Sequence, residues 1–209
     1  VDNGILAQIL RNPELCSMGH SQDPNTGNLG MGWLYYALAR MYRPNHVVCI
    51  GSWRGFVPLM FAQGLHDNGH GCVTFIDPGM VDDHWHDPGR VKAWFQGYGT
   101  TCIDHYCMTT QEFVDTEAYA EIQSVDILFV DGMHTCEQAQ IDHQSFAPLM
   151  NTNSIALFHD SVSDRESKIY GQPYGYTVYQ YMDQLRQNLN LQVLDLPFEN
   201  GLTLVRQKG

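Results

Sequence analysis

Two short stretches of the chain combine acids and imidazoles in a way that invites chemistry. FVDGMH, residues 129–134, passes from apolar residues into Asp131, a glycine and, three positions after the acid, His134. SIALFHD, residues 154–160, ends in the adjacent pair His159 and Asp160. Carboxylates and imidazoles are ligands for divalent cations, and imidazole also gains or loses a proton near neutral pH. A single Asp or His at such a place is accounted for as a helix cap or a strand end. Two apolar runs that finish alike point to a shared cleft.

A second candidate lies upstream. In IGSWRGFVPL, residues 50–59, Gly51 and Gly55 frame a short loop between an apolar run and a helical segment. A turn without side chains lets backbone N–H groups and the helix N-terminus approach a ligand closely. No GK[ST] follows, which excludes a P-loop, and Trp53 breaks the dinucleotide pattern GxGxxG. Alone, this spacing is equally that of a structural turn. Asp77, followed by Pro78 and Gly79, comes about 25 residues after the loop, where a carboxylate can accept hydrogen bonds from ribose hydroxyls. Loop and acid together point to a ligand carrying a nucleoside. They do not separate a nicotinamide dinucleotide from S-adenosylmethionine.

The elements that must position these residues are short apolar runs alternating with helical ones. HVVCI (46–50), CVTFI (72–76), TCIDHY (101–106), VDILFV (125–130) and SIALFH (154–159) are rich in β-branched residues and bounded by Gly, Asp or Asn, as buried strands are. Between them, 55–65, 90–98 and 136–150 carry helical periodicity, and two further helical segments, 4–11 and 29–42, precede the first strand. This alternation predicts a parallel sheet with helices on both faces. LQVLDL (191–196) and LTLVRQ (202–207), joined at ENG, read as an antiparallel hairpin at the C-terminal edge. The expectation is one α/β domain over 1–209, with an N-terminal helical segment (1–45) and a Rossmann-like core (46–209). In open parallel sheets ligands bind beyond the carboxyl ends of the strands, where Asp131, His134, His159 and Asp160 all fall.

Composition narrows the partners. The formal net charge is -12, and the 11 Lys and Arg are scattered. Neutralising a phosphate backbone needs a basic cluster, so nucleic acid is excluded as the expected partner, and anionic membranes are disfavoured. No apolar run approaches the roughly 20 residues that span a bilayer. Six cysteines without a CxxC pair predict a reducing, cytoplasmic setting. The opening VDNGILAQ has no basic-then-apolar signal pattern.

With these motifs in place, the sequence resembles the class I S-adenosylmethionine-dependent methyltransferases from about Gly30 to Val205. YYALARMYRPNHVVCIGSWRGFVPLMFA is similar to that family's helix, first strand and glycine loop, and VTFIDP to its ribose-binding strand end. VDILFVDGMHTCEQAQIDHQSFAPLM and SIALFHD resemble the fourth and fifth strands of small, often metal-dependent O-methyltransferases, including those of macrolide-sugar and cephamycin-type pathways. The terminal hairpin matches the family's seven-stranded sheet, whose last strand is antiparallel.

The resemblance implies S-adenosylmethionine as cofactor, bound by Gly51, Ser52, Gly55, Asp77, Pro78, Thr109 and Asp131. It implies a divalent metal (Mg, Mn or Fe) on Asp131, His159 and Asp160, with His134 as general base toward a small hydroxylated substrate. Two positions depart from the family pattern. Cys49 stands where an acid commonly holds the methionine end of the cofactor. His159 stands where Asp or Glu is usual, which shifts the preference from magnesium toward manganese or iron. Cys49 is also the feature favouring a cofactor-binding protein without transfer. Two imidazoles and two carboxylates would equally serve a metal enzyme of another reaction class.

Four further stretches complete the expectations. DDHWHDPGR (82–90) reads as a solvated lid, with Asp87 as N-cap, Pro88 in the first helical turn and Trp85 able to stack on a ligand. Residues 161–182 read as a mobile cover offering Tyr170, Tyr174 or Tyr176, while Tyr176, Tyr179 and Tyr181 also fit ordinary packing. Thr109 in MTTQEF either contacts adenine, as the resemblance implies, or caps the next helix. Residues 18–32 either close over a site or connect two helices. The aromatic helices before the first strand offer a dimer contact.

Overall fold

The computed structural model describes residues 3–16, 19–169 and 172–209. The chain divides into two compact units, Val1–Thr109 and Thr110–Gly209. The first holds α1 (Asn3–Arg11), α2 (Gly32–Tyr42), β1 (His46–Ile50), α3 (Phe56–Asn68), β2 (Cys72–Ile76), α4 (Pro88–Gly97) and β3 (Ile103–Tyr106). β1 pairs in parallel with β2, and β2 with β3, so that Phe75 lies opposite Cys49 on one side and His105 on the other.

Local chemistry explains these elements. β1 and β2 are buried from their second residue onward, as β-branched runs in a covered sheet must be. α3 is buried continuously from Phe56 to Leu65, because FVPLMFAQGL is apolar around its whole circumference. Gly64 lets it lie close against α2, since a Cβ there would come within 2.5 Å of the Ala39 methyl. Gly69, with φ 77°, ends the helix in the left-handed conformation that glycine adopts without a Cβ clash. Asp87 caps α4 by accepting from the Gly89 and Arg90 amides, with Pro88 in the first turn, as the sequence predicts.

The second unit holds α5 (Thr110–Phe113), α6 (Glu117–Ala120), β4 (Ile127–Val130), α7 (Cys136–Phe146), a 3-10 turn (Ala147–Leu149) and β5 (Ile155–His159). Then come β6 (Arg165–Ile169), β7 (Gln172–Tyr176), α8 (Val178–Arg186), β8 (Leu191–Leu196) and β9 (Leu202–Gln207). β4 and β5 are parallel; β9 is antiparallel to both β5 and β8. The strands form one seven-stranded sheet in the order β3-β2-β1-β4-β5-β9-β8, with β6 and β7 as a separate antiparallel pair. The α/β class, the mostly parallel sheet and the antiparallel C-terminal hairpin are as the sequence predicts. β3, β4 and β5 start one or two residues later than their apolar runs.

Two expectations need correction. Residues 161–182 are not a loop leading into a helix, because 165–169 and 172–176 pair as a hairpin before α8 begins. Tyr170 lies outside the described residues, and so does Met18 of the 18–32 segment. In the DDHWHDPGR stretch Asp82, Asp83 and residues 86–90 are exposed as expected, but Trp85 does not face out to stack on a ligand. Trp85 is only 2% exposed, packed against Phe75, Phe95 and His105. Burial of its indole outweighs the polar residues around it.

Candidate functional site

In the first unit, β1 runs through a fully buried Cys49 to Gly51, whose N–H extends the ladder to the Ile76 carbonyl at 2.8 Å. Gly51 (φ 70°) and Gly55 (φ 77°) take left-handed backbone angles, and a Cβ on Gly55 would meet the Phe95 ring at 2.8 Å. Ser52 is buried, and its hydroxyl accepts from the Val57 amide at 3.3 Å, capping the first turn of α3. Trp85 and Trp94 donate their indole N–H groups to the carbonyls of Trp53 and Arg54, at 3.0 and 3.1 Å. Arg54 meets Asp82 through both terminal nitrogens, and that pairing holds the Asp82 carboxyl below its ordinary range. The loop is therefore pinned from outside by two tryptophans that its own spacing does not reveal.

Asp77 is half-buried just past β2. One oxygen accepts from the Ser52 amide at 3.3 Å and the other from the Gly79 amide at 2.9 Å. A carboxylate held by backbone amides beside a glycine loop is an acceptor that suits a ligand rich in hydroxyls. Pro78 and Thr109 are half-buried in the same unit. A groove of about 470 Å³ along α4 and β3, lined partly by Phe95, Asp104, His105 and Tyr106, contains none of the predicted site residues.

The second unit brings Asp131, His134, His159 and Asp160 together, because β4 and β5 are adjacent and in register. His159 Nδ1 lies 2.9 Å from Asp131 Oδ1 and 3.7 Å from Asp160 Oδ2. His134 Nδ1 lies 3.4 Å from Asp160 Oδ2 and 3.9 Å from Asp131 Oδ1. Asp160 has φ 53°, a left-handed angle that costs a side-chain-bearing residue about 1 kcal/mol and aims its carboxylate off the end of the strand. That carboxylate is 4% exposed, and its Oδ1 has no hydrogen-bond partner among the described residues.

Within the described residues, the metal-ligating atoms of Asp131, His134 and Asp160 all lie within 4.8 Å of one another. This grouping contains His134, where the resemblance implies His159. Two carboxylates and an imidazole are a donor set that fits a divalent ion. Burial lowers the pKa of His134, and Asp131 and Asp160 pull it partly back, which leaves the imidazole neutral at neutral pH.

One residue of the cluster, Arg165, carries no signal in the sequence motifs. Arg165, the first residue of β6, donates from Nη2 to Asp160 Oδ2 at 2.8 Å. Its guanidinium carbon sits 3.8 Å over the ring of Tyr176, which stacks on His134 at 4.5 Å with the planes 23° apart. Tyr176 was among the candidates for a substrate cover. Tyr181 instead packs inside, its hydroxyl 2.8 Å from His143 Nδ1. The Thr177 amide donates to the His134 carbonyl at 2.9 Å, which fixes the start of α8 against this turn.

Residues 48–161 match the model of a family described as "Methyltransferase domain". The uncharacterized protein y4gI of Sinorhizobium fredii (strain NBRC 101917 / NGR234) is 29% identical over 203 residues, 90% of this chain; the chain spans 20% of that relative's length. Among solved structures, the O-methyltransferase TomG of Streptomyces achromogenes, involved in tomaymycin synthesis and in complex with SAM, superposes with a TM-score of 0.69 at 13% identity, covering 100% of this chain and 92% of its own. The SAH-bound Podospora anserina methyltransferase PaMTH1 gives 0.68 at 17% identity, covering 100% and 89%. Among the described residues, no helix is long and apolar enough to cross a membrane. The family match runs from Val48 in β1 through the glycine loop to the strand-end acids, and the chain belongs to this methyltransferase-domain family.

Proposed function

We propose that the chain is an O-methyltransferase that moves the methyl group of S-adenosylmethionine to a hydroxyl oxygen of a small molecule. The observation that carries this is the imidazole of His134 beside two carboxylates past the ends of β4 and β5. A hydroxyl is a poor nucleophile while protonated. His134 accepts its proton as the oxygen attacks, and Asp131 and Asp160 stabilise the imidazolium that results. The O–CH3 bond forms as the S–CH3 bond breaks, which leaves a methyl ether, S-adenosylhomocysteine and a proton on His134.

On the donor side, the backbone of Gly51 to Gly55 accommodates the cofactor closely, and Asp77 accepts from its ribose hydroxyls. Pro78 and Thr109 take the flanking contacts that the resemblance assigns to them. Asp131, His134 and Asp160 would hold a divalent ion, with manganese or iron preferred to magnesium because an imidazole is in the set, and when bound it would lower the pKa of a coordinated hydroxyl. His159 then acts through its 2.9 Å contact with Asp131, as a positioning residue rather than a ligand. The scattered basic residues and the cysteine pattern support a small-molecule substrate and a cytoplasmic setting.

Isothermal calorimetry on metal-stripped protein tests this. S-adenosylmethionine is expected to bind without metal, and Asp77→Ala to weaken it about tenfold through loss of charge-assisted hydrogen bonds. Absence of cofactor binding overturns the proposal. Binding without methylation of any of a panel of phenols, catechols and sugar hydroxyls replaces it with a binding protein that lacks transfer.

A further inference from the structure

The strand-end cluster is negative at its centre, and the chain itself supplies one positive charge to it. Arg165 opens the β6–β7 hairpin, where it pairs across the strands with Tyr176. Its guanidinium is held twice, by the 2.8 Å hydrogen bond to Asp160 Oδ2 and by the Tyr176 ring 3.8 Å beneath it. The oxygen it binds is the one that also faces His134, at 3.4 Å. Burying a carboxylate that is only 4% exposed is costly without a partner, and Arg165 supplies one. Asp160 Oδ1, an acceptor, and Arg165 Nε, a donor, nevertheless stay buried without hydrogen-bond partners among the described residues. One donor and one acceptor are the pair of functions that a hydroxyl group answers.

We propose that Arg165 is the resident cation of this cluster: it neutralises Asp160 where a divalent ion would otherwise do so, and guanidinium and metal exclude one another. This rests on the assignment of Asp131, His134 and Asp160 as the acceptor-side site. A dication shared by Asp160 and His134 engages Oδ2, the oxygen 3.4 Å from His134 Nδ1, and meets a positive charge already there, so it binds only after Arg165 has left. The hairpin is therefore coupled to the ion, because Arg165, Tyr176 and His134 form one continuous stack. With the hairpin seated, the guanidinium stands beside the oxygen that loses its proton, and the site works without metal. Arg165 acts here through Asp160 and is a positioning residue.

Calorimetric titration with Mn2+ alone, without methyl donor or acceptor, tests the exclusion. Arg165→Met is expected to bind Mn2+ at least about tenfold more tightly than the unaltered chain, the like-charge repulsion having been removed. Lys168→Met removes the same formal charge from an exposed position on β6 and is expected to change nothing. Adding Asp160→Asn to Arg165→Met is expected to abolish the gain. Equal affinities for the unaltered chain and Arg165→Met, or an equal gain in Lys168→Met, overturn the proposal. Should Arg165→Met fail to fold, amide exchange on the unaltered chain decides: saturating Mn2+ is expected to quicken exchange across 165–169 and 172–176, and unchanged or slower exchange overturns it. None of these readouts involves S-adenosylmethionine, so failure here is distinct from failure of the transferase assignment.

Discussion

The glycine-loop region of the first unit and the strand-end cluster of the second are built on opposite principles. Around the glycine loop, strong donors meet acceptors: Trp85 and Trp94 hold the carbonyls of Trp53 and Arg54, Arg54 holds Asp82, and Asp77 gathers the Ser52 and Gly79 amides. In the strand-end cluster a left-handed Asp160 presents a carboxylate with one oxygen unused, and Arg165 keeps a buried donor in reserve. Under the proposed function, a cofactor common to many reactions is met by a pinned backbone loop, and an acceptor whose charge changes during reaction is met by ionisable groups whose hydrogen bonds the ligand completes.

The largest expected effect separates the two regions most sharply. His134→Gln keeps a polar side chain but removes the base, and kcat is expected to fall about 10²- to 10⁴-fold while cofactor affinity measured by calorimetry stays unchanged. A parallel loss of cofactor affinity would break the division of labour. Gly55→Ala probes the other side. Its left-handed φ and the 2.8 Å approach to Phe95 predict a loss of about 2–4 kcal/mol in denaturant unfolding, together with weaker cofactor binding. A stability near that of the unaltered chain would mean that the loop is not pinned as described.

The smallest expected effect concerns an acid outside both regions. Asp142 is wholly buried in α7, where it accepts from Thr110 and Gln138, and burial raises its pKa from 3.8 to about 6. The folded state thus binds this proton more tightly than the unfolded state, so its contribution to stability is full below about pH 4 and is lost as pH rises through 6. Asp142→Asn is expected to stabilise the protein at pH 7.5 by roughly 1–2 kcal/mol and to leave it unchanged near pH 4, as read from chemical denaturation at both pH values. His143 titrates in the opposite sense. Burial lowers its pKa to about 4, so its contribution is lost as pH falls below 6.5. The chemical-denaturation difference between variant and unaltered chain isolates the acid.

Much of this was legible in the chain itself. HVVCI, CVTFI, LQVLDL and LTLVRQ are the four strands β1, β2, β8 and β9 residue for residue, and Asp87 caps α4 as its place before Pro88 predicts. β-Branched runs, capping residues and glycines in tight turns act through their own backbone and the next few residues, so sequence alone determines them. The order of strand ends likewise put Asp131, His134, His159 and Asp160 in one place, because parallel topology follows from strand–helix alternation.

Only tertiary structure decided the rest. RESKI and QPYGY carry little apolar alternation, and the pairing of β6 with β7 becomes visible once Arg165 meets Asp160 and Tyr176 meets His134. Trp85 looks like a solvent-facing residue among aspartates and histidines until Phe75 and Phe95 bury it. Which imidazole groups with the two acids, His134 or His159, depends on where each ring points, and adjacency in sequence does not determine that. In each case the deciding contact joins residues from different elements, and its energy depends on register and packing that no local propensity encodes.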